Sequence, residues 1–303
     1  MRDIKFSIGN GKSDKLPIQE FTFDMFAINP ALVMIAKRGS GKSVVVKALL
    51  EYFKDVPCGI IVSPTEKMNS FYGNFFPETY IHYEYKSETI QRVLMRQQMI
   101  IKKQKLRKSE GKSDIDARAF IIMDDCLASK GKWVRDQPIR DLFFNGRHFQ
   151  VMYILTMQQP LGITPELRSN FDYIFLLAED FISNLKKIYE HYAGMFPNFD
   201  AFRQVFAQLT ADFGSMVISN RGARSNLFEK IFYYKAPYSE DDSDSGLQFG
   251  CKQFRDFHKN NYDSEWQDRE KDIDVEKYLA DKKRNKSSLV VDKIKHDSQS
   301  DKK

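Results

Sequence analysis

The sequence predicts an α/β protein of three layers built on a mainly parallel central sheet, and three observations carry that expectation. Five short apolar runs, Ala31–Ala36, Gly59–Val62, Phe120–Met123, Val151–Leu155 and Tyr173–Ala178, are continuous rather than alternating, which marks strands covered on both faces. Stretches of helical periodicity separate the runs, as right-handed crossovers between parallel strands require. The first run leads directly into Ala36-Lys37-Arg38-Gly39-Ser40-Gly41-Lys42-Ser43 and then a helical pattern from Val44 to about Phe53, the strand–loop–helix context of a phosphate-binding loop.

Composition sets the bounds. A chain of 303 residues with 42% apolar and 14% aromatic residues can bury a sizeable core, so wholesale disorder is excluded. The formal charge of +6 is compatible with a polyanionic partner without requiring one. Cys58, Cys126 and Cys251 form no CxxC pair, which argues against a disulfide framework or a cysteine zinc site and for a reducing compartment. The five histidines, His82, His148, His191, His258 and His296, show no HxxxH spacing. No apolar run approaches the roughly 18 residues of a membrane span, and Lys5, Lys12, Asp14 and Lys15 interrupt any signal-peptide core. A soluble intracellular protein is expected.

Taken in order, Ile4–Ile8 and Phe21–Phe26 alternate around the turn-prone Gly9-Asn10-Gly11 and predict an edge ribbon over residues 1–29. Residues 30–236 form the expected core domain. Within it a long helix is predicted from about Ser87 to Ser109, with Ile90, Val93, Leu94, Ile100 and Ile101 on one stripe. Its end is crowded with Arg96, Lys102, Lys103, Lys105, Arg107, Lys108 and then Lys112. Two more helices follow, one through Leu185, Ile188 and Tyr189 and one through Phe202, Val205, Phe206 and Leu209, and Phe213–Ser219 and Leu227–Tyr234 read as late strands. Beyond Pro237 an acidic linker, 239–246, and a charged tail dominate residues 237–303. That composition cannot offset its ordering entropy, apart from a fragile helix around Asp274–Lys283.

Three motifs carry chemistry. In the loop, Gly39 and Gly41 let backbone N–H groups converge on phosphates, and the helix N-terminus adds its dipole. Lys42 would reach the β- and γ-phosphates and Ser43 would ligate Mg²⁺, with Gly39, Ser40, Gly41, Lys42, Ser43 and Val44 as the nucleotide-binding set. The consensus leading glycine is Ala36 here, at a position that ends the strand. The bland alternative is a glycine-rich turn with an incidental lysine. Second, Ala119-Phe120-Ile121-Ile122-Met123-Asp124-Asp125 is an apolar strand ending in two carboxylates, 82 residues beyond Lys42. Nearby parallel strands point their C-terminal ends at one crevice, so Asp124 would support Mg²⁺ and Asp125 would take a proton from, or orient, the attacking water. Alone, the pair also reads as a solvated strand cap. Third, Val151–Leu155 ends in Thr156-Met157-Gln158-Gln159-Pro160, which places the Gln158 amide at the same edge to sense a γ-phosphate or water, or else merely to cap a loop.

These motifs, with Asn145-Gly146-Arg147-His148 and Leu167-Arg168-Ser169-Asn170-Phe171-Asp172 between and after them, resemble the genome-packaging ATPases of nucleo-cytoplasmic large DNA viruses, within the FtsK–HerA superfamily. The resemblance covers about Ala27 to Ala178, more loosely the region to Tyr234, and none of the tail. It implies a RecA-like core with the sensor strand between the P-loop strand and the Asp-Asp strand. It also implies a ring-shaped homo-oligomer that threads double-stranded DNA into a capsid, in the host cytoplasm or virion, with ATP and Mg²⁺ at the subunit boundary. The family's sensor glutamine falls on Gln158. Cellular relatives follow it with an arginine where this chain has Gln159, so the arginine supplied in trans is left to Arg168 first and Arg147 second. The alternative for each arginine is a surface ion pair with Asp172 or Asp141.

The basic stretch has two readings, a solvated helix face or a surface of sequence-independent phosphate contacts through Lys102, Lys103, Lys105, Arg107 and Lys108. The expected function is an ATP-driven DNA translocase that packages viral genomes. The alternatives are another P-loop enzyme, such as a helicase or kinase, and a capsid-associated nucleotide-binding module without turnover.

Overall fold

The computed structural model describes residues 2–8, 12–126, 133–222, 226–237 and 247–263, and the strands among them join one ten-stranded sheet. In chain order the elements are β1 (Arg2–Ile8), β2 (Lys12–Glu20), β3 (Ala31–Ile35), α1 (Lys42–Tyr52), β4 (Gly59–Val62), α2 (Glu66–Asn69), β5 (Ile81–His82) and α3 (Ser87–Ser109). There follow β6 (Ala119–Asp124), α4 (Gln137–Asn145), β7 (Val151–Met157), α5 (Pro165–Arg168), β8 (Tyr173–Leu176), α6 (Ile182–Tyr192), α7 (Phe199–Leu209), β9 (Ser215–Ser219), β10 (Ile231–Tyr234) and α8 (Lys252–Asn261). The sheet order is β1-β2-β10-β9-β8-β3-β7-β6-β4-β5.

The block from β8 through β3, β7, β6 and β4 to β5 is parallel, whereas β9 runs antiparallel to both β8 and β10. The fold is the expected RecA-like α/β sandwich: β7 separates the P-loop strand β3 from the Asp-Asp strand β6.

Alternation along each strand divides the core into two layers, since successive side chains leave a strand on opposite faces. Leu32 and Met34 of β3, Phe120 and Ile122 of β6 and Met152 and Ile154 of β7 pack with Val45, Val46, Leu49 and Leu50 of α1 and Phe254 of α8. Val33 and Ile35, Ile121 and Met123, and Tyr153 and Leu155 face the other way. There they meet Ile90 and Leu94 of α3, Ile139, Leu142 and Phe143 of α4, and the apolar stripes of α6 and α7. Gly59 is fixed by this packing: a Cβ there would lie 2.1 Å from the Phe120 ring.

Several expectations require correction. The second N-terminal strand is Lys12–Glu20 rather than Phe21–Phe26, and it pairs antiparallel with β1. The turn between them at residues 9–11 lies outside the described residues. The ribbon is also continuous with the main sheet, because Gln19 and Glu20 pair in parallel with Phe232 and Tyr233 of β10. The phenylalanines that suggested a strand form an aromatic knot around a 3-10 turn, Phe23–Met25. Phe21 packs edge-on against Tyr173, Phe175 and Phe232, and Phe23 stacks on Phe26 at 5.4 Å, burying more ring surface than an exposed edge strand would.

The stretch after Pro237 also holds more structure than composition suggested. Phe249 is fully buried, 4.4 Å from the Phe120 ring and 5.5 Å from Phe76. Phe254 of α8 stacks on Tyr80 at 3.9 Å. One compact unit therefore runs through Asn261; the acidic linker 239–246 and the helix expected at Asp274–Lys283 lie outside the described residues. Among the described residues no helix is long and apolar enough to cross a membrane.

Candidate active site

β3, β6 and β7 end at one edge of the sheet, and the chemistry-bearing residues of the three motifs meet there. Past Ile35 the chain turns through Gly39 (φ 74°) and Gly41 (φ 92°) into α1. A Cβ at Gly39 would meet no neighbouring atom, so the left-handed backbone rather than lack of space calls for glycine. Ser40 is buried and donates its hydroxyl to the Lys37 carbonyl at 2.7 Å, which closes the loop on itself. The Lys37 ammonium pairs with Asp180, just beyond β8. Ser43 is exposed and Val44 half-buried on the first turn of α1.

Lys42 bridges the two carboxylates: Nζ lies 3.1 Å from Asp124 Oδ1 and 2.5 Å from Asp125 Oδ2. Asp124 is the last residue of β6, and register pairs it with Thr156 of β7. The Thr156 hydroxyl donates to Asp124 Oδ1 and accepts the Asp125 backbone N–H at 3.2 Å, with Lys42 Nζ at 3.5 Å. Asp125 adopts a left-handed conformation, φ 49°, uncommon for a non-glycine residue and of the kind that clusters at functional sites. That turn brings its carboxylate back over the strand ends, where Gln158 Nε2 donates to Oδ2 at 3.0 Å. The next strand contributes Ser63, whose hydroxyl is 3.5 Å from Asp124 Oδ2.

Burial controls the surrounding protonation. Tyr72 is fully buried, and its phenol is pushed well above the usual range, first by burial and then by the Asp124 charge, to which it also hydrogen-bonds. Cys126 is held as a neutral thiol by burial, with the charges of Asp124 and Asp125 adding to the effect. A thiol kept protonated is a poor nucleophile. Glu66, at the start of α2, also has its carboxyl raised by burial, with a smaller contribution from Asp124.

The sequence motifs miss three of these partners. In the sequence Thr156 reads only as a strand end, Ser63 is the polar residue that follows the apolar run Gly59–Val62, and Tyr72 lies in a loop without motif character. The signal available for the first two was a small hydroxyl residue at the C-terminal end of a buried strand flanking Asp124.

Other expected residues lie elsewhere. Arg147 precedes β7 at the opposite edge of the sheet, roughly 20 Å from Gln158 by the length of the strand. There it pairs with the buried Asp172, which also binds Arg221 at 3.2 Å and accepts the Ala31 N–H at 2.9 Å. Arg168 ends α5 with its guanidinium 5.7 Å over the Tyr192 ring. The Tyr192 hydroxyl in turn donates to the Pro160 carbonyl at 2.7 Å, tying α6 to the loop after Gln158. In α3, Gln97 anchors the helix by donating to the Ala117 and Phe149 carbonyls, at the start of β6 and β7. The basic run therefore projects past the edge opposite the P-loop. Lys102, Lys103, Lys105 and Lys108 are exposed there, while Arg107 is held by the Ser113 carbonyl and hydroxyl.

The carboxylates of Asp124 and Asp125 and the hydroxyls of Ser63 and Thr156 offer oxygen atoms to a metal, and the pocket already accommodates a cation, since Lys42 sits between the two carboxylates. That chemistry fits Mg²⁺, which takes one or two carboxylates and completes its shell from phosphates and water. Among the described residues no cluster of three or more His, Cys, Asp or Glu forms an all-protein metal cage.

The sequence matches the family described as Poxvirus A32 protein over residues 19–192. The uncharacterized protein L437 of Acanthamoeba polyphaga mimivirus is 45% identical over 280 residues, spanning 92% of this chain and 96% of its own. The uncharacterized protein 075L of Invertebrate iridescent virus 6 is 34% identical over 262 residues, 80% and 95% of the two chains. Among solved structures, the genome packaging NTPase B204 from Sulfolobus turreted icosahedral virus 2, in complex with sulfate, aligns with 71% of this chain and 100% of its own at 16% identity, with a TM-score of 0.48. By its sequence match and these viral relatives the chain belongs to the Poxvirus A32 protein family, the genome-packaging ATPases of nucleo-cytoplasmic large DNA viruses that its motifs resemble.

Proposed function

We propose that this chain hydrolyses ATP with Mg²⁺ to drive double-stranded DNA into viral capsids, working as a homo-oligomeric ring. The observation that carries the reading is the meeting of Lys42, Asp124, Asp125 and Gln158 at one sheet edge beside the glycine loop. Membership of the A32 family supports the packaging role and the capsid partners.

In this reading, backbone N–H groups from Gly39 to Val44 cradle the phosphates. Asp124 and Ser43 hold Mg²⁺, which would offset triphosphate charge when bound. The Lys42–Asp125 contact of 2.5 Å suggests how binding and chemistry are linked. A polyphosphate draws the Lys42 ammonium toward itself, because a triphosphate carries more negative charge than the two carboxylates together. Asp125 then keeps only its Gln158 hydrogen bond and its carboxylate is free to accept a proton. Water attacks the γ-phosphorus as the bond to the β,γ-bridging oxygen breaks, its proton passes to Asp125, and the Gln158 amide orients it. An arginine from a neighbouring subunit, Arg168 by preference, stabilises the charge that develops on the transferred group. The exposed lysines Lys102, Lys103, Lys105 and Lys108 provide contacts to DNA phosphates.

A DNA-stimulated ATPase assay on the purified chain tests the proposal. Wild type should turn over and respond to any duplex, and Lys42→Ala should be inactive. Asp125→Asn should bind ATP while losing about 10²–10⁴-fold in rate. Equal, negligible turnover by wild type and Lys42→Ala would instead support a nucleotide-binding module.

A further inference from the structure

The polarity of the site leads to a residue that no motif contains. Along the sheet, β7 and β6 lie on one flank of β3, and β8 and β9 on the other. The groups assigned to the metal and the γ-phosphate, Asp124, Asp125 and Gln158, all belong to the β7–β6 flank. A nucleotide whose terminal phosphate points that way must extend its sugar and base from the P-loop toward β8 and β9. Because β9 is antiparallel to β8, it starts at the same edge: Met216 pairs with Leu176, which pairs with Ile35.

Phe213 stands at that corner, two residues before β9. A Cβ on Gly41 would lie 3.6 Å from Phe213 Cβ and 3.6 Å from its Cδ1, so the aromatic ring adjoins the phosphate loop. It is nevertheless 63% exposed. Its neighbours in sequence, Phe202, Phe206 and Leu209 of α7, are all buried in the core. The backbone is arranged to keep the ring out. Asp212 (φ 52°, ψ 51°) and Phe213 (φ 57°) are consecutive left-handed residues, a conformation that aspartate visits readily but that is uncommon for a bulky aromatic. Both neighbours of Phe213 have close partners. Asp212 is paired with Lys235 at 2.5 Å, and Gly214 lies so close to the end of α7 that a Cβ there would be 2.3 Å from the Leu209 carbonyl oxygen. A flat apolar face, fixed in a strained turn and presented to solvent beside an anion cradle, matches a ligand that is anionic at one end and aromatic at the other.

We propose that Phe213 is the platform on which the base of the bound nucleotide stacks. The inference rests on the reading of Gly39–Ser43 as a nucleotide phosphate site. It makes Phe213 a positioning residue that distinguishes nucleotides from base-free polyphosphates. The ring offers no hydrogen bond, so it reads the presence of a base rather than its identity.

Calorimetric titration of the full chain with ADP and with inorganic tripolyphosphate, both with Mg²⁺, tests this. Phe213→Ala should weaken ADP by about ten-fold or more, the usual contribution of one base–aromatic stack, and leave tripolyphosphate unchanged. Phe213→Leu keeps an apolar contact with the loop but no flat face and should behave like Phe213→Ala. Phe213→Trp should retain ADP affinity, and its indole fluorescence should respond to ADP and not to tripolyphosphate. Unchanged ADP affinity in Phe213→Ala, or equal weakening of both ligands, overturns the platform while leaving the phosphate site in place. A wild-type chain that binds neither ligand overturns the nucleotide site itself, and the platform with it.

Discussion

Thr156→Val keeps the shape of a fully buried side chain and deletes one oxygen. That oxygen accepts the Asp125 N–H at 3.2 Å and donates to Asp124 Oδ1, within a residue pair set by strand register. Its loss strands a backbone donor and removes one donor from a carboxylate that is only 8% exposed. Each buried group left without its partner costs roughly 1–3 kcal/mol, more when charged. Lys42 and Ser63 still reach Asp124, so the expected loss of stability is about 2–4 kcal/mol. With a denaturant slope near 3 kcal/mol per molar, the urea midpoint should fall by about 1 M. Thr156→Ser restores the hydroxyl and should recover most of the difference. The reasoning fails if Thr156→Val unfolds at the wild-type urea concentration, because the hydroxyl would then contribute nothing that a methyl group does not.

Phe249→Ala should destabilise by about 3–5 kcal/mol in the same assay, since it empties a fully buried ring site against Phe76 and Phe120; a shift below about 1 kcal/mol would show that this segment does not belong to the core. Arg147→Ala should lower the thermal midpoint by a few degrees while kcat stays at the wild-type value, because its partner Asp172 lies at the edge away from the P-loop and retains Arg221. A kcat loss of 10³-fold without a change in stability would instead mark Arg147 as the arginine acting in trans. Glu66→Gln tests burial through pH. Burial raises the folded carboxyl above its unfolded value, so the folded chain binds more protons between those two values and wild-type stability falls as pH rises through that window. The advantage of Glu66→Gln should therefore grow as pH rises through that window in urea unfolding, and a pH-independent difference would contradict it.

The sequence makes the parallel block legible because strands buried on both faces leave continuous apolar runs, and β3, β4, β6, β7 and β8 all do so. The meeting of Lys42 with Asp124 was likewise foreseeable, since parallel strands deliver their C-terminal ends to one edge. Thr156, Ser63 and Tyr72 were not, because their importance depends on lateral register and on a loop that folds back over β4. Neither appears in local spacing. The N-terminal ribbon was misplaced by one segment for a related reason. Phe21, Phe23 and Phe26 carry strong strand propensity, but their rings gain more by packing against Tyr173, Phe175 and Tyr234 than by pairing at an edge. Phe249 and Phe254 are hard to read from sequence because the stretch around them is dominated by polar and charged residues, although Cys251, Phe254 and Phe257 are spaced as one helix stripe and the two rings close one face of the core.

The two edges of the sheet hold β3 and its neighbours together in opposite ways. At the edge away from the P-loop, the buried Asp172 takes the first N–H of β3 and two guanidinium groups, and these partners bind its charge without any ligand. At the P-loop edge, the carboxylates of Asp124 and Asp125 share the single ammonium of Lys42, and that ammonium is the group a phosphate would recruit. Moving one lysine side chain therefore redistributes charge among β3, β6 and β7 at one edge only, while at the opposite edge the Asp172 cluster ties the start of β3 to the segments flanking β7, β8 and β9. A site whose charge balance shifts on a fixed frame can tell the neighbouring strand ends whether a triphosphate is present. Gln158 and the loop after it, tied to α6 through Tyr192, lie where that difference would be felt.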